Sequence, residues 1–273
     1  FGCGIKQIPE WIARMEQLQS LDLRKNSITS DGIPAELSRL VNLSKLLLNN
    51  NQITEFPPAI LNMPNLRELE LAGNKILSIP EALGQLRFLQ RLVISNNKLQ
   101  ALPNSIGFLT ELQMFDMKGN EIKDLPPSMG HLTALQRFDM SENMVTALPW
   151  EFGGMTQLQV FEVKQNPLVI PPTPEVNKGL ANMLEWLRDN EKAGRAGAAK
   201  SGLTKDAKWS PSQTWTFLFF SPLLQNTNNT HNPTRHYPPL PPSLSLKSPH
   251  TQPVKQNVVN HLHHLVAGLV KIE

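Results

Sequence analysis

The sequence predicts an α/β solenoid, a curved stack of short repeats with parallel strands on the concave face and short helical or 3-10 segments on the convex face. Two observations carry this prediction. Segments with one shared apolar pattern recur seven times, from LQSLDLRKNSI (18–28) to LQVFEVKQNPL (158–168). An asparagine holds the same place in every copy, and after a first step of 25 residues every step is 23 residues. Self-similarity at such a fixed period is the signature of a repeat architecture.

Each repeat is predicted to contain one strand and one helical turn. In LRELELAGN (66–74), apolar and other residues alternate with a period of two, which is typical of a short strand. Segments such as IPEALGQLRF (79–88) contain an early proline, which has no N–H for a sheet and suits the first turn of a helix. The strands of successive repeats then stack in parallel, so the fold class is an α/β leucine-rich repeat solenoid.

The recurrent asparagine is predicted to be structural, because its inward-pointing side chain can bond backbone groups of the neighbouring turn that would otherwise be buried without partners. Counting back 23 residues from the first asparagine reaches Cys3, and the leucine-rich pattern accepts Asn or Cys at that position. We therefore expect Cys3 to be a small buried residue of the same ladder. On this register the chain begins inside a repeat, with upstream repeats or a cap missing. The predicted ladder is Cys3, Asn26, Asn51, Asn74, Asn97, Asn120, Asn143 and Asn166.

Three regions follow along the chain. They are the repeats (1–172, a partial repeat followed by seven), a C-terminal capping helix (173–193), and a linker with a Pro/Asn/His-rich tail expected to be disordered (194–273). Thr173 is predicted to cap the helix and Pro174 suits its first turn. An apolar stripe at helical spacing should seal the last repeat. Its members are Val176, Leu180, Met183, Leu184 and Leu187.

Charge separates the repeats from the tail. Of 26 basic and 23 acidic residues, residues 201–273 hold 6 and 2, which leaves 20 and 21 in residues 1–200. A nearly neutral repeat region offers no basic face for nucleic acid. No apolar run reaches the roughly 20 residues that span a bilayer. A single cysteine cannot form an internal disulfide, which favours a reducing compartment and a cytoplasmic location.

No catalytic, cofactor or metal site is predicted. A catalytic triad brings serine, histidine and a carboxylate together, and His131 is the single histidine of the predicted repeat domain. No Walker-type phosphate loop occurs. The HLHH stretch (261–264) lacks a neighbouring cysteine or acidic residue, so we interpret it as a chance cluster rather than a zinc site.

The strand residues between the inward-facing leucines are predicted to project from the concave face as a rigid array. The middle exposed position is acidic in five of the seven repeats, and a mixed column runs beside it. Such a surface suits a protein partner with a basic patch. The alternative, that these acids serve only solubility and local pairing, stays open. The predicted partner-binding residues are Asp22, Leu47, Glu70, Arg91, Val93, Met114, Asp116, Arg137, Asp139 and Glu162.

The tail contains one recognisable binding motif, RHYPPLPP (235–242). Arg235, Pro238 and Pro241 have the spacing of an SH3 ligand, and PPLP also suits some WW domains, because a preformed polyproline helix docks at little ordering cost. The abrupt loss of acidic residues also fits translation of a retained intron or a shifted frame. We favour this second interpretation of the tail.

The 23-residue repeats with Leu-Pro or Ile-Pro after the asparagine, together with NPLVIPP (166–172) and the following helix, resemble a known family. It is the intracellular Ras-group leucine-rich repeat proteins of plants, with the related animal Ras-suppressor and SHOC-type scaffolds, and the resemblance covers about residues 1–190. It implies a non-catalytic scaffold that binds a protein, with a small GTPase or a phosphatase as the candidate partner. Two alternatives stay open: a structural or assembly module, and the regulatory repeats of a larger protein with an upstream catalytic domain.

Overall fold

Seven strands form one parallel sheet. The computed structural model describes residues 2–200, and for residue 193 and residues 195–200 it describes the backbone alone. Each strand is three residues long, and the spatial order of the strands follows the sequence order. This confirms the predicted α/β leucine-rich repeat solenoid with its sheet on the concave face. The strands are β1 (Ser20–Asp22), β2 (Lys45–Leu47), β3 (Glu68–Glu70), β4 (Arg91–Val93), β5 (Met114–Asp116), β6 (Arg137–Asp139) and β7 (Val160–Glu162).

Short helical turns connect the strands on the convex side. They are the 3-10 turns Glu10–Arg14, Ser30–Gly32, Ala35–Arg39, Glu81–Gln85, Asn104–Phe108, Pro127–His131 and Trp150–Gly154, and helix α1 (Pro58–Leu61). A proline immediately precedes every one of them except Ser30–Gly32. Its fixed φ and missing N–H suit the start of a turn. The repeat with the 25-residue step is the one that holds the additional turn Ser30–Gly32.

A single apolar core runs through the stack between the sheet and the turns. The repeated leucines are fully buried, as at Leu66, Leu69 and Leu71, each 0% exposed. Burying one such side chain stabilises the fold by roughly 1.5–3 kcal/mol, but each repeat achieves this only against its neighbours. Towards the C-terminus phenylalanines replace the leucines of the strands. The rings of Phe138 and Phe161 stack with centroids 5.2 Å apart, and Phe138 also stacks on Phe115, with centroids 5.4 Å apart.

The asparagine ladder has the predicted register. The Asn97 Oδ1 accepts a hydrogen bond from the Ile76 N–H at 3.0 Å, and its Nδ2 donates to the carbonyls of Leu71 and Ile94 at 3.0 and 2.9 Å. Because Ile76 and Leu71 belong to the preceding repeat, each such side chain joins two turns. Asn51, Asn74, Asn97, Asn120 and Asn143 make this set of bonds and are buried. Asn26 and Asn166, at the two ends of the ladder, are half-buried.

Cys3 has the predicted register but lacks the predicted burial. The Ile5 N–H donates to the Asn26 Oδ1 at 3.2 Å, as the Ile28 N–H does to the Asn51 Oδ1 at 3.0 Å. The thiol of Cys3, however, is exposed, so the expectation of a buried ladder residue is wrong. A buried ladder side chain such as Asn51 bonds the preceding turn, whereas the described residues, which begin at Gly2, include no turn that precedes Cys3.

The residue before each ladder asparagine has a left-handed backbone conformation, with φ between 54° and 68° from Lys25 to Gln165. L-residues other than glycine lose roughly 1–2 kcal/mol in this conformation. The positions are Lys25, Asn50, Gly73, Asn96, Gly119, Glu142 and Gln165. At Gly73 the neighbouring turn is also close, since an added β-carbon would lie 2.4 Å from the Asn50 Oδ1. At the five positions that are not glycine, the geometry of the turn therefore outweighs the conformational preference of the residue.

Two helices cover the C-terminal end, where one helix over 173–193 was predicted. Helix α2 is Thr173–Asn177 and helix α3 is Leu180–Lys200. The break lies at Gly179, whose φ of 102° is outside the range of a right-handed helix. The prediction of Thr173 as the capping residue is also wrong. Pro172 precedes the helix, Thr173 is its first residue, and no side chain caps this end.

Helix α3 seals the convex half of the last repeat. Met183, Leu184 and Leu187 of the predicted stripe are buried, and its other two members pack partly buried against the core. The Arg188 guanidinium donates to the Gly153 carbonyl at 3.1 Å. A β-carbon on Gly153 would lie 2.9 Å from the Arg188 backbone nitrogen, so this glycine permits the close approach of the helix.

Candidate functional site on the concave face

Three columns of side chains run across the concave face, with successive members on strands about 4.8 Å apart. The outer column, from the first residue of each strand, is Ser20, Lys45, Glu68, Arg91, Met114, Arg137 and Val160. The central column, from the third residue, is Asp22, Leu47, Glu70, Val93, Asp116, Asp139 and Glu162. The trailing column, two residues after each strand, is Arg24, Asn49, Ala72, Ser95, Lys118, Ser141 and Lys164. The predicted binding residues thus lie on one face in two adjacent columns.

The central column is less exposed than predicted. Leu47, Glu70 and Val93 are buried, with 4%, 8% and 6% of their surface exposed. The expectation that these three side chains project into solvent is wrong, because the concave side of a closely spaced sheet crowds neighbouring side chains together. The other members are half-buried: Asp22, Asp116, Asp139 and Glu162.

Glu70 is held by two donors from neighbouring strands. Its Oε2 accepts a hydrogen bond from the Asn49 Nδ2 at 2.6 Å, and its Oε1 accepts one from the Arg91 Nε at 2.9 Å. Burial alone raises the pKa of Glu70, but the bonds from Arg91 and Asn49 outweigh it, so the pKa lies below its ordinary value. Glu68 is also paired, with Lys45 at 2.7 Å and with Arg91 at 3.2 Å.

Asp22 is paired within its own repeat. Its two carboxylate oxygens accept hydrogen bonds from the Arg24 guanidinium at 2.9 and 2.6 Å. Burial raises the pKa of Asp22, but the bonds and charge of Arg24 outweigh it and leave the pKa below its ordinary value. From β1 to β4, therefore, both acidic side chains of the central column are paired with an arginine of the protein itself, and Asn49 adds a hydrogen bond to Glu70.

Asp116 and Asp139 are different, because they lie side by side in register on β5 and β6 and, within the described residues, basic groups act on them only through longer-range charge, from Arg91 and Lys118. The Asp116 oxygens accept bonds from the Lys118 N–H and the Ser95 hydroxyl, both at 3.0 Å, and the Asp139 Oδ1 accepts one from the Ser141 N–H at 2.9 Å. Burial raises the pKa of Asp116 above its ordinary value, and the charge of Asp139 adds to this effect. Neither carboxylate forms an ion pair with a residue that the structure describes.

The outer column beside this pair carries side chains available for contact. Arg137 is exposed and makes no ion pair within residues 2–200. Met114 is partly exposed on one side of it, and Val160 on the other is 36% exposed. A charged group flanked by apolar ones is a typical centre for a protein contact.

The trailing column was not among the predicted site residues, although Arg24, Asn49 and Ser95 each bond a central-column carboxylate. A signal was present in the sequence: the position two residues after each strand carries a polar side chain in six of the seven repeats. This signal is ambiguous, because the same position also belongs to the turn that leads to the ladder asparagine, where polar residues are expected anyway.

The other predicted candidates divide between two parts of the chain. His131 is exposed at the end of its convex turn. Within residues 2–200, no group of three or more His, Cys, Asp or Glu side chains could hold a metal ion, and no helix has both the length and the apolarity to cross a bilayer. The SH3 or WW motif with Arg235, Pro238 and Pro241, and the HLHH stretch, lie outside the described residues.

Comparison with known proteins agrees with the repeat pattern. A family described as Leucine rich repeat matches residues 41–99 and 64–122, and one described as Leucine Rich Repeat matches residues 17–40. A search of curated proteins finds no match. Residues 17–122 thus match leucine-rich repeat families, and the fold of the described residues is that of a leucine-rich repeat solenoid.

Solved structures with the same fold come from plants and bacteria. The plant peptide hormone receptor RGFR1, in complex with RGF2, is 30% identical over 59% of this chain and 27% of its own, with a TM-score of 0.54. A leucine-rich repeat protein of Leptospira interrogans is 30% identical over 63% of this chain and 50% of its own, with a TM-score of 0.51. An internalin of Listeria monocytogenes is 28% identical over 61% of this chain and 47% of its own, with a TM-score of 0.54.

The chain thus spans between about a quarter and a half of the length of these three proteins. Their common fold is one that generally mediates protein–protein interaction, and leucine-rich repeat proteins are generally non-catalytic.

Proposed function

We propose that this protein is a non-catalytic scaffold of the cytoplasm whose concave face binds a protein partner in small GTPase signalling. The candidate partners are a small GTPase itself or a phosphatase that acts with it. Support for the GTPase context comes from the resemblance of the repeats and of the NPLVIPP junction to Ras-group leucine-rich repeat proteins. Support for peptide or protein binding comes from the fold class, and from RGFR1, which was solved in complex with RGF2.

The observation that carries the proposal is the Asp116–Asp139 pair. Elsewhere on the central column Asp22 and Glu70 form ion pairs, but this pair forms none among the described residues and interacts with Arg91 and Lys118 only at longer range, and burial makes the charge of Asp116 costly. A basic side chain of a partner placed between the two carboxylates would relieve that cost and gain charge-assisted hydrogen bonds. Arg137 and Met114, beside the pair, would add a second polar contact and an apolar one.

The test is affinity capture from cell extract with the full chain as bait, read by mass spectrometry. The bait is compared with Asp139→Lys and with the control Glu121→Lys, which makes the same change in net charge at an exposed position outside the three columns. All baits must first show equal thermal unfolding. We expect a small GTPase or phosphatase to be retained by the original bait and by the control and to be lost with Asp139→Lys.

Retention of the same partners by all three baits would contradict the proposed role of the concave face. A purified small GTPase in its GDP-bound and GTP-bound forms then tests the signalling context directly, because a scaffold in such a pathway is expected to discriminate between the two. Equal or absent binding of both forms would remove the GTPase from the proposal.

A further inference from the structure

A shallow groove of about 370 Å³ opens on the concave face across β2–β5, beside the central column. Lys45, Arg67 and Arg91 line it, with Glu68 as its acidic residue and Met114 at one end. Serine and glutamine side chains complete the lining. Lys45 and Arg91 are paired with Glu68 and Glu70, so the excess positive charge at the groove comes from Arg67, in contrast to the acidic pair on β5 and β6.

Arg67 and Arg91 have guanidinium donors that no carboxylate of the described residues binds. Arg67 is exposed and makes no ion pair or side-chain hydrogen bond with a described residue. The Nε of Arg91 bonds Glu70 and Glu68, while its terminal NH1 contacts the Met114 sulfur. A thioether is a weak acceptor, so a carboxylate would be a stronger partner for that edge of the guanidinium.

The spacing of these groups indicates the kind of ligand. Arg67 immediately precedes β3, and its carbonyl accepts a hydrogen bond from the N–H of Arg91, the first residue of β4, at 2.9 Å. The two side chains therefore come from adjacent repeats whose strands lie about 4.8 Å apart. An extended peptide advances about 3.3 Å per residue, which places the side chains of alternate residues on one face roughly 6.6 Å apart. Arginine and lysine side chains are long enough to bridge the difference, so alternate acidic residues of such a peptide can meet successive basic groups.

We propose that this groove binds an extended acidic segment of the protein partner, with Asp or Glu at alternate positions. The proposal rests on the proposed protein-binding role of the concave face, and it describes the partner more closely. The partner is bipolar: a basic group meets Asp116 and Asp139, and an acidic segment occupies the groove with Arg67 and Arg91. Long-range attraction to both regions orients the partner before contact.

The test uses a fluorescent peptide, Glu-Ser-Glu-Ser-Glu-Ser-Glu with blocked termini, and an all-serine peptide of equal length, titrated with the full chain by fluorescence anisotropy. Arg67→Glu is the test variant, because the exposed guanidinium has no described bond whose loss could unfold the protein. Lys98→Glu is the control, with the same change in net charge at an exposed residue outside the groove.

We expect the glutamyl peptide to bind the original chain, with an affinity that falls as salt is raised, and the all-serine peptide not to bind. Arg67→Glu should raise the Kd at least tenfold, and Lys98→Glu less than twofold. Absence of glutamyl binding, or equal weakening by both variants, would overturn the groove as a site.

The failure of this inference can be told apart from failure of the proposed function. If the partner captured from extract is lost with Asp139→Lys but kept with Arg67→Glu, the concave face binds protein while the groove does not contribute, and the inference is wrong. If the glutamyl peptide binds in an Arg67-dependent way but no variant of the concave face changes the captured proteins, the groove stands and the proposed function is wrong.

Discussion

Replacement of Asn97 by alanine tests the ladder in its most buried part. The Asn97 side chain is 8% exposed, accepts from the Ile76 N–H at 3.0 Å, and donates to the carbonyls of Leu71 and Ile94 at 3.0 and 2.9 Å. Asn97→Ala removes these three bonds and a longer one to the Ser95 carbonyl at 3.2 Å, and supplies no polar atom in their place. The matched variant is Asn26→Ala, at a half-buried position where Oδ1 accepts from one backbone N–H and Nδ2 donates within its own turn.

The magnitude follows from the groups left without partners. The Leu71 and Ile94 carbonyls keep hydrogen bonds from Asn74 and Asn120, so the Ile76 N–H is the group left without a partner. A buried donor that loses its partner costs about 1–3 kcal/mol, and each bond lost at a carbonyl adds about 0.5 kcal/mol or more, so the expected loss is roughly 2–4 kcal/mol. At Asn26 solvent can replace the lost bonds, and we expect a loss of about 1 kcal/mol. Since native domains are stable by about 5–15 kcal/mol, Asn97→Ala should remove a large share of the total.

Urea unfolding followed by circular dichroism measures both losses, and hydrogen exchange at the Ile76 amide checks the cause. The expected result is a free energy of unfolding at least about 1 kcal/mol lower for Asn97→Ala than for Asn26→Ala, by difference of the ranges above, on the order of the cost of one unsatisfied group. The Ile76 amide should also exchange faster. Equal losses for the two variants, or an unchanged Ile76 amide, would refute the view that inter-repeat backbone bonds to asparagine stabilise the stack.

Three further predictions concern single positions. Gln165→Gly should raise the free energy of unfolding by about 0.5–1 kcal/mol, because Gln165 has a φ of 55°, and urea unfolding checks it. Asp116→Asn should raise the melting temperature at pH 7: since the folded-state pKa of Asp116 is raised, its charge costs stability above that pKa, and the gain should vanish as pH falls through it. Glu81→Gln should do the reverse, because bonds from the Ser105 and Asn104 N–H groups lower the pKa of Glu81. Its stabilisation is present above the ordinary value of 4.5 and is lost as pH falls through the folded pKa, so the two melting curves should converge in acid.

The strands and the ladder could be predicted because they repeat. A 23-residue period with alternating apolar positions determines which three residues of each repeat pair with the next, and all seven strands lie where the pattern places them. The ends could not be predicted equally well. Gly179 breaks the capping helix, and the pattern of apolar residues on either side continues at helical spacing across it. The exposure of Cys3 depends on which residues pack beside it, and the repeat pattern gives no information about them.

The columns of the candidate site could be predicted, but the state of each side chain could not. Alternation along a strand shows which residues face away from the core. It does not show that Glu70 is 8% exposed, because that depends on Asn49 and Arg91 in adjacent repeats. Whether a carboxylate is paired by the protein or left for a partner is decided across strands, 21 to 23 residues apart in sequence.

The contact between helix α3 and the last repeat includes two indole rings, Trp150 and Trp186, stacked with centroids 5.9 Å apart. Two such chromophores at this distance couple electronically and should produce a paired circular dichroism band of opposite signs. That band reports on one end of the array alone, whereas the amide signal averages over all repeats. Because each repeat contacts only its neighbours, an array of this kind can fray from an end. Loss of the indole band at a lower urea concentration than the amide band would mean that α3 detaches first, and would make the pair an optical sensor for anything that binds there.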